Sequence, residues 1–556
     1  MAIENTISTI FAKAPKHAGD RTAFLSRYPS LRTSSMHTQY PALKQASTRT
    51  VPLPAKRSLV FLISAIAAMS AHAFSSGSTG ADGAFSPTVN TEIVLPPSGV
   101  FNYTSINIPV GITVTFKKNV ANTPVFLLAS GNVTIAGKID ITGNDAKPTG
   151  TYGDGALADD GVPGTSGPGG YDGGRGGRSD AALRGEVVRG GSGLGPGGGQ
   201  GGIEGPDDCS GAPYYSYYKY VGSGGAYATD THPPFSIWTC GSIKAMTFKA
   251  YGSALLQPLI GGSGGGGGRG GISYPGSGGG GGAGAILIAS SGAFNITGTI
   301  DATGGDGGGN AGTGAGGNGA GGSGGAIRIV ASSISGNGAM LANGGCINSN
   351  NQRRQFCGSD GAYNQYGGSS GRIRIEADAI TFSGTSQPAY SKDVPGPVFI
   401  SSVPSMRIAS VAGQVVPPNP TGNADITLPA TTTGAVDVTF ETSNVPAGNT
   451  VLLRVVPAYG QPIEALSPAI SGSTGTGSAT VSVTLPAGPS TLQATTTYTI
   501  VVAGTIDLSR FAQNEAVEKV EVTVSMVGET KARLLTANGN IYPVSYATLR
   551  AAGFQG

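Results

Sequence analysis

The segment AILIASSGAFNITGTIDATGGD, residues 285–306, reads as two β-strands followed by a glycine-rich exit. Ile286 and Ile288 alternate with Leu287 and Ala289, the period-two pattern of a pleated strand. A small polar step follows, then a second strand near Gly298 and the first glycines. Three other stretches repeat the plan: VFLLASGNVTIAGKIDITGND from Val125, AIRIVASSISGNGAMLANGG from Ala326 and RIRIEADAITFSGT from Arg372. A strand unit that cannot bury its own apolar face has to stack on copies of itself. The chain is therefore expected to be all-β, built round a stacked-strand solenoid. Its default functional element is an extended surface rather than a catalytic cleft.

Alignment of the repeats assigns faces. Phe126 and Leu128 are matched to Ile286 and Ile288, then to Ile327 and Ile329, then to Ile373 and Ile375, all pointing inward. The residues between, Leu127, Leu287, Arg328 and Arg374, are expected to point out. Ile135, Ile139 and Ile141 are matched to Ile296, Ile300 and Ala302, and Gly137 to Gly298 at a bend. The repeats start 160, 41 and 46 residues apart, so the extra length is expected to loop out, most of all over residues 144–284.

The chain has 556 residues, of which 95 are Gly and only 12% are charged. Glycine at that density is incompatible with packed helix, since each costs about 1 kcal/mol against Ala in a helix interior. No Gly-X-Y period exists, which excludes collagen. The glycine runs are read as loops attached to an ordered core, with disorder as the competing reading for GGSGGGGGRGG from Gly261.

Residues 1–73 read as an N-terminal extension plus signal peptide. Lys56 and Arg57 precede the apolar run SLVFLISAIAAMSAHA, which ends in Ala71-His72-Ala73. A positive region, a short apolar core and a small-x-small site are the marks of an export signal. The run is short for a bilayer span of about 20 residues. Those 73 residues carry nine of the 34 Lys/Arg and two of the 31 Asp/Glu, so the remainder is slightly acidic. With no basic patch, nucleic acid is not an expected partner. No later apolar stretch would span a membrane as a helix, and the exported chain is expected in the periplasm, on the cell surface or outside the cell.

Cys209, Cys240, Cys346 and Cys357 are an even set in an exported chain and are read as two disulfides. Spacing favours 209 with 240 and 346 with 357, among three pairings that exist. His232 is the only His beyond residue 73 and no CxxC is present, so zinc has no ligand set here. The bracketed insert 209–240 is the sharpest local signal. Tyr214, Tyr215, Tyr217, Tyr218, Tyr220 and Trp238, the only Trp, give rigid amphipathic contact area suited to a glycan or a cell-surface partner. The same residues would also serve as a small core behind the bridge.

Other motifs carry less. The GxGxxG matches neither follow a strand nor open a helix. Asp154, Asp159 and Asp160, and Asp306 with Asn310, sit on Gly turns that could offer oxygens to Ca²⁺ or simply be solvated. Asp140 and Asp301 recur at one repeat position and are read as turn caps, with catalytic carboxylates as the competing reading. No cofactor is implied.

After residue 404 the glycines thin and VDVTFETSNV, NTVLLRVVPA, ATVSVTLPAG and TTTYTIVVAG alternate at period two. The chain is thus divided into a glycine-rich β-solenoid over 74–403, an immunoglobulin-like β-sandwich over 404–504 and C-terminal strands or a tail over 505–556. The repeats AILIASSGAFNITGTIDATGGDGG and AGGSGGAIRIVASSISG, within residues 88–385, resemble the glycine-rich exported proteins of Gram-negative bacteria and right-handed parallel β-helix surface proteins and adhesins. That resemblance implies an exported, non-enzymatic structural or adhesive protein, and supplies no catalytic residue. Residues 505–556 are too short for an outer-membrane barrel. A carbohydrate-active β-helix enzyme, a polysaccharide lyase or hydrolase, is the alternative.

Overall fold

A computed structural model describes residues 74–147, 161–178, 189–202, 221–231, 249–271, 275–309, 316–349, 352–356, 367–399, 402–417, 425–457, 462–486, 488, 490–502, 506–526 and 530–555. The expected signal, residues 1–73, lies outside them. The described part is all-β apart from one short helix, Tyr546–Ala551, and one 3-10 turn, Ser509–Phe511. No helix among the described residues is long and apolar enough to cross a membrane.

The repeats stack as parallel strands, as the pattern requires. Ala285–Ile296 pairs with Ala326–Ser335, which pairs with Arg372–Ile380, in one sheet of nine parallel strands. A second, six-stranded parallel sheet runs through Lys138–Asp140, Thr299–Asp301 and Ala339–Leu341. Ile286, Ile327 and Ile373 lie in register, as do Ile288, Ile329 and Ile375, and all six are buried between the sheets. Ile135 pairs with Ile296 and Ile139 with Ile300. At the corner between the sheets a Cβ on Gly298 would collide with the carbonyl of Gly137, one on Gly338 with Gly298 and one on Gly384 with Gly338. The bend is therefore glycine in four successive turns, at Gly137, Gly298, Gly338 and Gly384.

The first rung departs from the alignment by one residue. Val125 pairs with Ile286 and Leu127 with Ile288, so Leu127 points inward while Phe126 and Leu128 face out. With a side-chain period of two, a one-residue slip exchanges the faces. In VFLLA both faces are apolar, so hydrophobicity alone did not mark the inner one.

The outward face is also not solvent-facing. Leu128, Leu287, Ala289 and Ala326 form a second apolar cluster with Leu256, Leu259 and Val398. Arg328, expected outside, is 1% exposed, and Arg374 is buried too. Segments 251–260 and 394–399 lie over this face and hide it.

The largest correction concerns the glycine runs. They are not loops. Twelve extended segments, 141–147, 161–168, 169–178, 189–195, 196–202, 221–227, 261–270, 275–284, 302–309, 316–325, 342–346 and 367–371, lie side by side, bonded backbone to backbone. The pairing repeats every third residue. Gly262, Gly265 and Gly268 donate to the carbonyls of Ala283, Gly280 and Ser277 at 2.8, 2.9 and 2.8 Å. Gly261, Gly264 and Gly267 donate to Gly169, Leu194 and Gly191, and the carbonyls of Ser263, Gly266 and Arg269 accept from Ser323, Ala320 and Gly317. Bonds to neighbouring segments at a three-residue period, with none inside the segment, are the pattern of polyproline-II-type helices. Segment 261–270 is enclosed by 169–178, 189–195, 196–202, 221–227, 275–284 and 316–325. The array is hexagonal, in rows of three, four, three and two.

At the glycine positions of this lattice side chains are excluded by distance. A Cβ on Gly264, Gly265 or Gly268 would run into the carbonyl of Asp172, Ala320 or Gly317. The Cα hydrogens point at those oxygens, a weak but repeated attraction.

The C-terminal part is a β-sandwich. A five-stranded antiparallel sheet centred on Ala435–Ser443 faces a six-stranded one that includes Thr450–Pro457 and Ser490–Val501. Val438, Phe440, Leu453, Tyr498 and Val522 share its core. Val517–Ser525, Lys531–Thr536 and Ile541–Ser545 continue the six-stranded sheet, so residues after 505 complete the sandwich.

Candidate functional site

The lattice has two kinds of ends. At one, its helices run into the β-strands: 275–284 leads into Ala285–Ile296, and 316–325 into Ala326–Ser335. The opposite ends share one level, because Gly177 bonds to Gly268, Gly161 to the carbonyl of Gly276, Gly202 to Gly267, Gly222 to Asn318 and Gly317 to Arg269. Here 141–147 passes to 161–168, 169–178 to 189–195, 196–202 to 221–227, 261–270 to 275–284, 302–309 to 316–325 and 342–346 to 367–371. Six connections thus begin and end on one edge, away from the sheets. Nothing in the glycine count announces this. A signal was present, since each long glycine run ends in an apolar strand or a polar, aromatic stretch.

Tyr214, Tyr215, Tyr217, Tyr218, Tyr220, Trp238, Cys209, Cys240 and Cys357 lie outside the described residues, as do Asp154, Asp159, Asp160 and Asn310. Their attachment points are described. The tyrosine stretch connects Gly202 to Val221 on the far edge. The Trp238 stretch connects Thr231 to Lys249, and its neck is closed by Asp230, which accepts from the Ala250 N–H at 2.7 Å and from Lys249 Nζ at 2.9 Å. Cys346 is buried, and no described cysteine is free.

Asp140 and Asp301 meet on the outer face of the six-stranded sheet. They pair in register, and Lys138 Nζ lies 2.8 Å from Asp140 and 3.0 Å from Asp301. Asp140 Oδ1 also accepts from the N–H and hydroxyl of Thr142, and Asp301 Oδ1 from the N–H of Thr303. Burial works to raise the Asp140 carboxyl, but Lys138 and the Thr142 bonds outweigh it and hold it below its ordinary value. Burial likewise disfavours the charged Lys138, and the two aspartates overcome that and raise it. The arrangement is a turn cap in which one lysine bridges two aspartates and ties two rungs.

Asp306 has a comparable duty: its carboxylate accepts from the Cys346 N–H, and its own N–H donates to Asp145. Among the described residues no three His, Cys, Asp or Glu side chains gather as a metal site. A shallow cleft of about 250 Å³ is lined by Lys118, Asn119, Asn122, Ser166 and Asp172. Its polar groups are consumed internally. Lys118 Nζ bonds Ser166 Oγ at 2.9 Å and Asp172 at 3.2 Å, while Asn122 bonds both the carbonyl of Gly170 and the N–H of Gly169.

Comparison with protein-family models, with curated proteins and with solved structures found no match.

Proposed function

We propose that this chain is an exported, non-enzymatic surface protein that uses its solenoid and glycine lattice as a rigid mount for contact segments. The observation that carries the reading is the single edge on which six connections begin and end. A scaffold without side-chain freedom behind a row of connecting segments is suited to recognition, because binding residues concentrate on loops that a rigid frame positions. The tyrosine stretch, Tyr214 to Tyr220, is tethered to that edge, and we assign it and Trp238 to glycan or cell-surface contact.

The hairpin Ile347–Ser349 with Gln352–Phe356 supports the second half of the cysteine reading. Ile347 lies opposite Phe356, and these two are the sequence neighbours of Cys346 and Cys357. Directly opposed antiparallel residues stand roughly 4.5–5.5 Å apart, within disulfide reach. We assign Cys346–Cys357 and Cys209–Cys240 as bridges, in keeping with an oxidising compartment. The immunoglobulin-like topology of the sandwich, the right hand of the solenoid and removal of residues 1–73 belong to the same proposal.

The polysaccharide-enzyme reading draws less support. Glycoside hydrolysis needs one carboxyl held protonated as general acid. Asp140 is driven the other way by Lys138.

The test is binding of the exported chain to a glycan array and to whole cells, compared with the double variant Tyr217→Ala/Trp238→Ala. Binding at least tenfold weaker in the variant, with melting unchanged, is expected. No binding by the parent, or undiminished binding by the variant, contradicts the assignment.

A further inference from the structure

The segment that leads from the solenoid to the sandwich is held differently from everything around it. Strand Ser391–Asp393 is the last in the nine-stranded sheet. Beyond it, 394–399 turns back over the outer face of that sheet. The polar ties that bind this strap to the solenoid end on side chains. Gly396 donates its N–H to Glu376 Oε2 at 2.9 Å. Arg328 donates Nη2 to the carbonyl of Pro397 at 3.1 Å and Nη1 to that of Val398 at 3.3 Å. Gln257 Nε2 reaches the same Pro397 carbonyl at 2.7 Å.

Behind the strap stands a charge cluster. Arg328 grips Glu376 with two bonds of 3.0 Å, Arg374 reaches Glu376 at 2.7 Å, and Arg374 also reaches Asp393 at 3.1 Å. Two cations and two anions balance. Arg328 and Glu376 belong to adjacent parallel strands, so the cluster is set by the sheet and is complete before the strap arrives. The strap adds one donor and two acceptors, which water can replace. Its one buried apolar side chain is Val398, packed in the cluster with Leu287, Ala289 and Leu128. Phe399 rests on Phe126 at 5.4 Å between ring centroids while remaining half exposed.

We propose that residues 394–399 form a clasp that opens without unfolding the solenoid and sets how closely the sandwich is tethered. Opening frees the six residues between Asp393 and Ile400. It gives up Val398 burial and four hydrogen bonds, and leaves the strand ladder and the lattice untouched. The inference is independent of any binding role of the aromatic segments.

Hydrogen exchange on the full chain tests it. In Glu376→Gln the amide cannot balance both guanidinium groups, and exchange across 394–399 is expected to speed up at least tenfold, with amides of 261–270 unchanged. Because Glu376→Gln could itself disturb the sheet, Val398→Asp removes the strap's anchor from the strap side and is expected to give the same pattern. Asp393→Asn, at the exposed end of the cluster, is expected to leave strap exchange near the parent rate. Unchanged strap exchange in both opening variants, or lattice exchange rising in step with it, overturns the proposal.

Discussion

The glycine lattice and the C-terminal sandwich are both buried, and they are buried by opposite means. In the sandwich Val438, Phe440, Leu453 and Val522 remove side chains from water, and each large apolar residue buried contributes roughly 1.5–3 kcal/mol. In the lattice, segments such as 261–270 bury almost nothing but backbone. Each inter-segment hydrogen bond nets only about 0.5–1.5 kcal/mol. Ordering each residue costs roughly 1–2 kcal/mol, and glycine loses more freedom than any other residue. The hydrogen bonds alone do not offset that cost, so the lattice holds through dense packing and through its junctions with the β-strands. A sandwich tolerates a smaller side chain with a cavity, whereas lattice positions such as Gly264, Gly265 and Gly268 have no room for a side chain at all.

The largest effect is therefore expected from the smallest substitution. Gly265→Ala puts a methyl group into the Ala320 carbonyl with backbone on every side. It should prevent folding of the solenoid or lower its melting by far more than the ~1–3 kcal/mol of ordinary overpacking. Soluble yield and circular dichroism would read it, and a folded Gly265→Ala chain with parent-like melting breaks the contrast.

Ile329→Asp comes next. It buries a charge in the middle of the isoleucine ladder, a loss of several kcal/mol, and should remove the solenoid transition in calorimetry. Val438→Ala in the sandwich should cost about 1–3 kcal/mol through a cavity and move the sandwich transition alone. If one transition follows both variants, the two regions are not separately held.

Acid sharpens the contrast from the solenoid side. Glu376 is raised by burial, but Arg328 and Arg374 outweigh that and hold it below its ordinary 4.5. Asp140 is held below its ordinary 3.8. A depressed carboxyl contributes stability that is fully present above the unfolded value and is lost as pH falls through the folded one. Solenoid melting should therefore begin to fall near pH 4.5 and continue to fall below pH 4. Glu376→Gln should flatten that slope, and an unchanged slope would show that other groups set it.

The smallest effect is expected at Lys138. Its ion pairs with Asp140 and Asp301 are partly exposed, and such pairs are worth about 0–1 kcal/mol. Lys138→Met should shift melting little, and a loss above about 2 kcal/mol would assign it a larger role than a surface tie.

How much of this could be read from the chain follows from where information resides. Ile286, Ile327 and Ile373 announce their ladder because their outward neighbours differ in character from one rung to the next. Val125 to Ala129 did not, since Phe126 and Leu128 meet a second apolar layer and Leu127 meets the first. Arg328 looked like an outward charge because the strap that covers it is remote in sequence. The lattice was illegible for a deeper reason. Its order is a three-residue period in hydrogen bonding, and a run of identical residues has no period to display. The aromatic residues from Tyr214 to Trp238 stand out by composition, and the structure contributes the places where their segments are anchored.

The central claim is that the glycine runs are a hydrogen-bonded lattice. The most direct measurement is residue-resolved amide hydrogen exchange of the folded chain, comparing Gly265, Gly280 and Ala320 with Ile286 and Ile288. Each of the three lattice amides donates to a backbone carbonyl at 2.9 Å, so all should be protected to the same order as the strand amides. Exchange of the lattice amides at the rate of an open loop, while the strands stay protected, would contradict the account.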